Sequence, residues 1–590
     1  MFTKWIYFSL HYRKLMVFVA SVLIVYGLNT WFSLPVDAFP DISPTQVKVI
    51  LKIPGMTPEE VEQRVVRPVE LEMLSIPKKR IIRSVSKYGI ADITIDFEDG
   101  TDIYWARQQV SERLNAFTKD LPSGVSGGLA PITTPLSEVY MFTVDGEKYS
   151  LMERRSALDW IIRPELRTIP GVAEVNSLGG EAKTYEVIPD AAKMAARGIT
   201  MSELRDSLLT NNSNDGAGRI DSGEEALVIR VEGAIKGLDD IRSIAVSNTN
   251  GQTMLLDEIA TVRTGALTRN GAVTENGTGE VVEGLVLSLR GANARLLVTD
   301  IEEKLNEIRP KLPPGMTVNT FYNRGELVGR AAGTVTKALV EATVLVCITL
   351  YLFLGGLRAA FVVAVVLPLS IFSTFILMHY FGLTANLMSL GGLAIAIGML
   401  VDAAVVVVEN IEKYFSNPET STAISTQNVI VMAVNEVIKP VTAGVLIIAV
   451  VFLPLLTLEG LEGKLFSPVA ITIVMALISS LIIAFSIVPA LAFYVLKREP
   501  EHETKFMQLV AIKYRQYRDL VWNNTRLLYK SAGIGLGVMV VLYMIVGKTF
   551  MPTLDEGDVL VQLQKLPSVS LENSLNQDTR VEQSILESVP

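Results

Sequence analysis

Apolar residues along this chain are gathered into blocks almost free of charge, with charged segments between them. The first block, residues 15–34, follows His11, Arg13 and Lys14 and has the roughly 20-residue length of a bilayer-crossing helix. Basic residues ahead of an apolar run also describe a signal peptide. The length of this run, its aromatic border at Trp31 and the lack of a small-residue cleavage pattern favour a span. Six more blocks lie at 338–354, 360–380, 388–408, 441–456, 469–495 and 531–546, so seven spans are expected. Pro368, Pro440, Pro454 and Pro489 fall in or beside these blocks, which membrane helices tolerate where neighbours satisfy the freed backbone groups.

Between the first and second blocks, residues 35–333 contain no apolar run long enough to span. The patterning there is that of strands and amphipathic helices. Val47, Val49, Leu51 and Ile53 alternate as a half-buried strand, and Thr57-Pro58-Glu59-Glu60 then supplies an N-cap, a proline at the first helical position and an acid at the third. Strands at 81–85 and 90–97 precede a helix at 101–117. A second unit repeats the theme with a strand at 139–144, a helix at 150–168 and a strand at 172–177. Small α+β sandwiches of the ferredoxin-like kind, placed in tandem, are the expected architecture.

Charge orients the spans. Lys4, Arg13 and Lys14 precede the first, and the connection before the seventh carries Lys497, Arg498, Lys505, Lys513, Arg515, Arg518, Arg526 and Lys530. Both segments are therefore expected in the cytoplasm, with 35–333 on the other side. In that basic connection Phe506, Leu509, Val510, Tyr514 and Tyr517 recur at helical spacing, predicting an amphipathic helix on the membrane surface. Composition adds exclusions. A net charge of -9 argues against a nucleic-acid partner, and a single cysteine, Cys347, excludes a disulfide framework and a multi-cysteine zinc site. There is no Walker-type phosphate loop and no hydrolase constellation, so neither an ATP-driven pump nor an enzyme is expected, and no cofactor is called for.

An internal echo marks the far end. After the first block come Phe39-Pro40-Asp41, a strand ending at Pro54 and a helix start at Thr57. After the seventh come Met551-Pro552-Thr553-Leu554-Asp555, a strand ending at Pro567 and a helix start at Ser570. The expectation is a duplicated protein of twelve spans, of which this chain holds the N-terminal part.

Three strings carry a family resemblance: residues 35–42 (Pro-Val-Asp-Ala-Phe-Pro-Asp-Ile), residues 97–107 (Phe-Glu-Asp-Gly-Thr-Asp-Ile-Tyr-Trp-Ala-Arg), and Leu554-Asp555-Glu556-Gly557-Asp558. They resemble the resistance-nodulation-division superfamily and, within it, the heavy-metal efflux branch of copper/silver and cobalt/zinc/cadmium exporters. The resemblance implies a membrane protein of mixed class: an α-helical transmembrane bundle with seven of twelve spans present, periplasmic α+β ferredoxin-like porter subdomains and a docking subdomain. On that scheme residues 1–34 hold the N-terminus and first span, 35–133 the first porter subdomain, and 134–180 with 274–330 the second. Residues 181–273 form the docking subdomain, 334–497 spans two to six, 498–530 the amphipathic connection, 531–548 the seventh span, and 549–590 the start of a second periplasmic half. It further implies a homotrimer in the bacterial inner membrane that works with a periplasmic adaptor and an outer-membrane channel, taking metal ions outward as protons flow in.

The chemistry is expected in the fourth block, at Asp402 and Glu409. Seven residues at about 100° each leave the two acids within about 20° of one helical face and roughly 10 Å apart along the axis. A carboxyl at such depth is costly when ionised, so it suits loading and releasing a proton. In the resembling family the aspartate at this place is the central proton carrier, and its lysine or other polar partner comes from spans of the second half. Zinc-type relatives often carry another aspartate where this chain has Ala396, and drug pumps commonly have a second aspartate where it has Ala403. Glu341, in the second block, matches an acid common across the superfamily and is a candidate to support the relay.

Metal ligands are harder to read. Soft monovalent copper or silver asks for thioether or thiolate, and zinc for imidazole and carboxylate. Met388, Met399 and Met475 could form a thioether path, although core packing is the plainer role for them. Gln562 stands where copper/silver relatives have methionine, and three histidines, among them His379, offer little for zinc. Asp99, Asp102, Glu556 and Asp558 could attract cations or serve turns. Two other readings stay open on sequence: an exporter of organic solutes or drugs, and a non-transporting scaffold or assembly subunit.

Overall fold

The computed structural model describes the whole chain except residues 1, 38–39, 118–119, 135, 250–251, 355, 417–423, 499–504, 523–524, 547–558, 567 and 589–590. Two compact units are present, one of residues 1–139, 288–299 and 323–561, the other of 140–287, 300–322 and 562–590.

The first unit opens with an unexpected short helix, Phe2–His11, whose Ile6 and Leu10, four apart, are fully buried. Helix Arg13–Ser33 then follows. A four-stranded sheet comes next, in the order Lys79–Lys87, Ile90–Phe97, Gln46–Lys52, Ser126–Leu129, every neighbour antiparallel. The alternation at Val47, Val49 and Leu51 becomes an alternation of burial, and these residues pack on Val61, Val65, Val69 and Met73 from one helical stretch and Ala106, Val110 and Leu114 from another. Thr57 and Glu60 form the expected capping box: the Glu60 N–H donates to the Thr57 hydroxyl, and the Thr57 N–H to the Glu60 carboxylate at 2.9 Å.

In the second unit the strand order repeats. Val172–Gly179 pairs with Glu280–Ser288, which lies beside Glu138–Asp145, which lies beside Thr317–Asn323. In chain order this is again second, third, first, fourth, the split β-α-β arrangement. Here, however, about a hundred residues are inserted between the second and third strands. The insertion contains the pair Lys183–Pro189 and Ala260–Ala266, a small core around Leu204, Ile241, Leu256 and Ile259, and the hairpin Asn214–Ser222 with Glu225–Glu232. That hairpin is exposed on both faces, Val228 at 78%.

Two details depart from the sequence reading. The helical stretches at 58–73 and 151–166 each contain one π turn, Glu62–Val66 and Leu158–Ile162, two residues before Pro68 and Pro164. A proline inside a helix lacks an N–H and crowds the carbonyl four residues back, and a local change to five-residue spacing relieves this. Among the described residues there is also no strand over 559–566, where one ending at Pro567 is expected: these residues join no ladder, and a strand needs a ladder partner. Helix Leu571–Ser588 follows as expected, with the Asn573 N–H donating to the Ser570 hydroxyl.

Among the described residues, seven helices are long and apolar enough to cross a membrane, by length and composition. Most run beyond the apolar blocks. The second begins at Arg324, the fifth at Thr426 and the sixth at Gly460, because helical hydrogen bonding continues wherever the backbone remains regular, whatever the side chains' polarity. Lys505–Trp522 forms the helix expected in the basic connection. Gly460–Val495 is the centre of the bundle and meets the helices Arg13–Ser33, Val366–Tyr380, Leu387–Leu400, Asp402–Ser416 and Thr426–Phe452. Small residues permit close approach there. A Cβ at Gly392 would stand 2.9 Å from the Val469 carbonyl oxygen, the tight backbone contact typical of membrane helix pairs.

Gly392→Leu should therefore lower the thermal unfolding midpoint of the detergent-solubilised protein, by the ~1–3 kcal/mol of an overpacked core. Gly398→Ala, where an added Cβ meets nothing within 4 Å, should leave it unchanged or raise it. Equal midpoints for the two variants would remove this approach as a determinant of packing.

Candidate functional site

The fourth apolar segment is not one uninterrupted helix. Leu387–Leu400 ends in a turn at Val401, and Asp402–Ser416 begins with Asp402 in its first turn. An acid at a helix N-terminus faces the positive end of the backbone dipole. The carbonyl of Leu400, at the break, accepts a hydrogen bond from the Ser480 hydroxyl on the central helix, and the Val405 N–H restarts the ladder on the Val401 carbonyl at 2.8 Å. The break therefore leaves no orphaned backbone group at Leu400, where hydrocarbon could not supply a partner.

Burial divides this segment into two faces. Ala403, Ala404, Val407, Val408 and Asn410 are buried, whereas Ile395, Gly398, Asp402, Val406 and Glu409 are exposed at spacings of three and four. Asp402 and Glu409 thus share one face, as the spacing predicts. Neither carboxylate has a hydrogen-bond or ion-pair partner among the described residues. Glu341 shares no ion pair or hydrogen bond with them among the described residues. It is exposed on the helix Arg324–Leu354 and lies 4.0 Å from Lys337, one turn earlier on the same helix.

Met388, Met399 and Met475 are half-buried, and the last two pack against the apolar core of the bundle. Among the described residues no three His, Cys, Asp or Glu side chains gather as a metal site. His379 is exposed at the end of Val366–Tyr380. Asp99 pairs with Lys464 at 2.9 Å, and Asp102 accepts from the Trp105 N–H at 2.8 Å, so both have structural partners. Asp555, Glu556, Gly557 and Asp558 lie outside the described residues.

Sequence reasoning missed a polar tie beside the acids. The side-chain amide of Asn410, nearly buried, donates to the Ala433 carbonyl at 2.7 Å and to the Glu436 carboxylate at 3.0 Å, joining Asp402–Ser416 to Thr426–Phe452. The Tyr414 hydroxyl reaches the same carboxylate. Glu436 lies ahead of the apolar block 441–456, so block-by-block reading passes over it. Its signal is an acid among Val434, Val437 and Ile438 at helical spacing.

Membrane-length apolar helices joined to sheet-containing regions define the class, a membrane protein. The chain belongs to the AcrB/AcrD/AcrF family, whose model matches residues 5–590. The cation efflux system protein CzcA of Alcaligenes sp. (strain CT14) is 36% identical over 605 residues, covering 100% of this chain and 57% of that protein. The cation efflux system protein CusA of Escherichia coli (strain K12) is 36% identical over 593 residues, covering 98% and 56%. A crystal structure of a heavy metal efflux pump superposes with a TM-score of 0.84 at 31% identity, covering 99% of this chain and 56% of that one. The chain therefore spans about half the length of the curated relatives it matches.

Asn410→Leu should destabilise the protein by ~0.5–1.5 kcal/mol, the net worth of an ordinary hydrogen bond such as the one to the Ala433 carbonyl, read as a lowered unfolding midpoint in detergent. Glu436→Gln, which keeps an acceptor oxygen, should lose less. The reverse order would show that the amide's packing, not its hydrogen bonds, joins the two helices.

Proposed function

We propose that the protein exports heavy-metal cations across a bacterial inner membrane in exchange for protons, with Asp402 as the central proton carrier. The observation that carries this reading is the pair of carboxylates, Asp402 and Glu409, on one unpartnered face of a membrane-length segment, in a chain of the AcrB/AcrD/AcrF family. A carboxyl on such a face can carry a proton, and a route that exposes it to each side in turn converts proton entry into work. Glu409 extends the acidic face by two turns. Glu341, held by Lys337, is assigned a supporting role on its own helix. The names of the relatives, among them a cobalt-zinc-cadmium resistance protein, support a metal cargo. Met388, Met399 and Met475 are the candidate soft ligands along the bundle.

The sheets at 35–133 and at 134–180 with 274–330 are assigned as porter subdomains on the periplasmic side, and 181–273 as the docking subdomain. The latter's exposed apolar hairpin suits burial against a second copy in a homotrimer, and an adaptor and an outer-membrane channel complete the route. Seven spans then put residues 1–12 and the helix Lys505–Trp522 at the cytoplasmic surface.

In a metal-sensitive host challenged with copper, silver, zinc, cobalt, cadmium and nickel, the gene encoding the whole pump should confer tolerance to at least one ion. Asp402→Asn should reduce that tolerance to the level of the empty host at equal membrane expression. Tolerance that survives Asp402→Asn, or none for any metal, would turn the reading toward an organic solute or a scaffold.

A further inference from the structure

Just after the first membrane-length helix the chain is stitched to another part of the bundle. The Ala385 N–H donates to the Pro35 carbonyl at 2.8 Å and the Asp37 N–H to the Ala385 carbonyl at 3.1 Å, making a parallel bridge at Val36. This clamp fixes Asp37 at a cavity of about 130 Å³ that is also lined by Asp41, Ser137, Arg290, Arg324 and Thr384. Most charged groups around it are already matched. Asp41 is held by Arg290 at 2.6 Å, and Lys464, nearby, is taken by Asp99 at 2.9 Å and the Ser43 carbonyl at 3.0 Å.

Two groups stand outside these pairs, Arg324 and the half-buried Asp37. Arg324, only 8% exposed, gives one guanidinium nitrogen to the Leu136 carbonyl, while its Nε is buried with no partner among the described residues. Asp37 forms no ion pair with it among the described residues. Burial raises the Asp37 pKa to about 6 against the pull of Arg324, and the Asp41 charge adds to the rise. The sign follows: the folded chain favours the protonated acid, and stability tied to Asp37 is lost as pH rises through about 6.

We propose that Asp37 is a second proton-binding site, on the side of the sheets, and that Arg324 is the group that responds to it. With the proton on a carboxyl oxygen, Arg324 rests on the Leu136 carbonyl. When the proton leaves to the water on that side, the carboxylate draws the guanidinium into an ion pair, because a nearby opposite charge stabilises a partly desolvated carboxylate. Arg324 opens the helix Arg324–Leu354 and directly follows the strand Thr317–Asn323, so a change in what it holds acts at a joint between sheet and membrane-length helix. The transport consequence rests on the proton-driven reading above; the protonation itself does not.

The test has two arms, both on the whole pump in lipid. Infrared difference spectra of wild type should show a protonated-carboxyl band that titrates away near pH 6, absent in Asp37→Asn, retained in Asp402→Asn, and shifted to higher pH in Arg324→Gln. In metal-loaded vesicles, the pH profile of transport should contain a step at the same value that Asp37→Asn removes. A wild-type spectrum without that band, or one that Asp37→Asn leaves unchanged, overturns the proposal. If the band behaves as expected while wild type moves no metal at any pH, the efflux reading fails and the proton site stands.

Discussion

Hydrocarbon offers no hydrogen bonds, so every backbone group in the bundle must be matched from within the protein. The helix Gly460–Val495 shows how much follows from this. It carries Pro468 and Pro489 and still runs 36 residues, and it contacts most of the other apolar helices. It also supplies the Ser480 hydroxyl to the carbonyl exposed where the fourth segment breaks. That break is what places Asp402 in the first turn of a new helix. A serine on the central helix and an acid on its neighbour are thus parts of one arrangement: the first makes the break tolerable, and the second occupies the polar end it creates.

The sheets obey a different constraint. Each strand must find a partner edge, and chain connectivity decides which. Both sheets adopt the same order although one carries a hundred-residue insertion, because an insertion between strands leaves their register free as long as its own ends lie close together. The paired strands Lys183–Pro189 and Ala260–Ala266, at the two ends of the insertion, bring those ends together. Loop closure of this kind grows only slowly in cost with length, so the sheet can accept an added domain at little expense to its own pairing.

Sequence patterning carried the apolar helices, the strand Gln46–Lys52, the cap at Thr57 and the helix starts at Ser150 and Ser570 because each is set by neighbours within a few residues. The face shared by Asp402 and Glu409 was legible for the same reason. The helix ends were not, since polarity changes at the membrane border while the backbone does not. Nor was the tie from Asn410 to Glu436, which crosses 26 residues, or the pairing of Glu280–Ser288 with both Val172–Gly179 and Glu138–Asp145. The π turns had a local signal, a proline following two β-branched residues and an arginine at Val65-Val66-Arg67-Pro68 and Ile161-Ile162-Arg163-Pro164, but only the repetition of that string distinguishes it from an ordinary helix end.

The exposed faces of the apolar helices carry unequal demands. Leu345, Ile348 and Tyr351 on Arg324–Leu354, or Leu536, Val540 and Tyr543 on Thr525–Ile545, can meet lipid or protein at similar cost. The face with Asp402 and Glu409 cannot, because an aspartate near the middle of a membrane helix costs about 2.5–3.5 kcal/mol against lipid. It needs water or polar protein over it. Whatever covers that face therefore both completes the packing of this segment and decides whether its carboxyls meet water or polar protein.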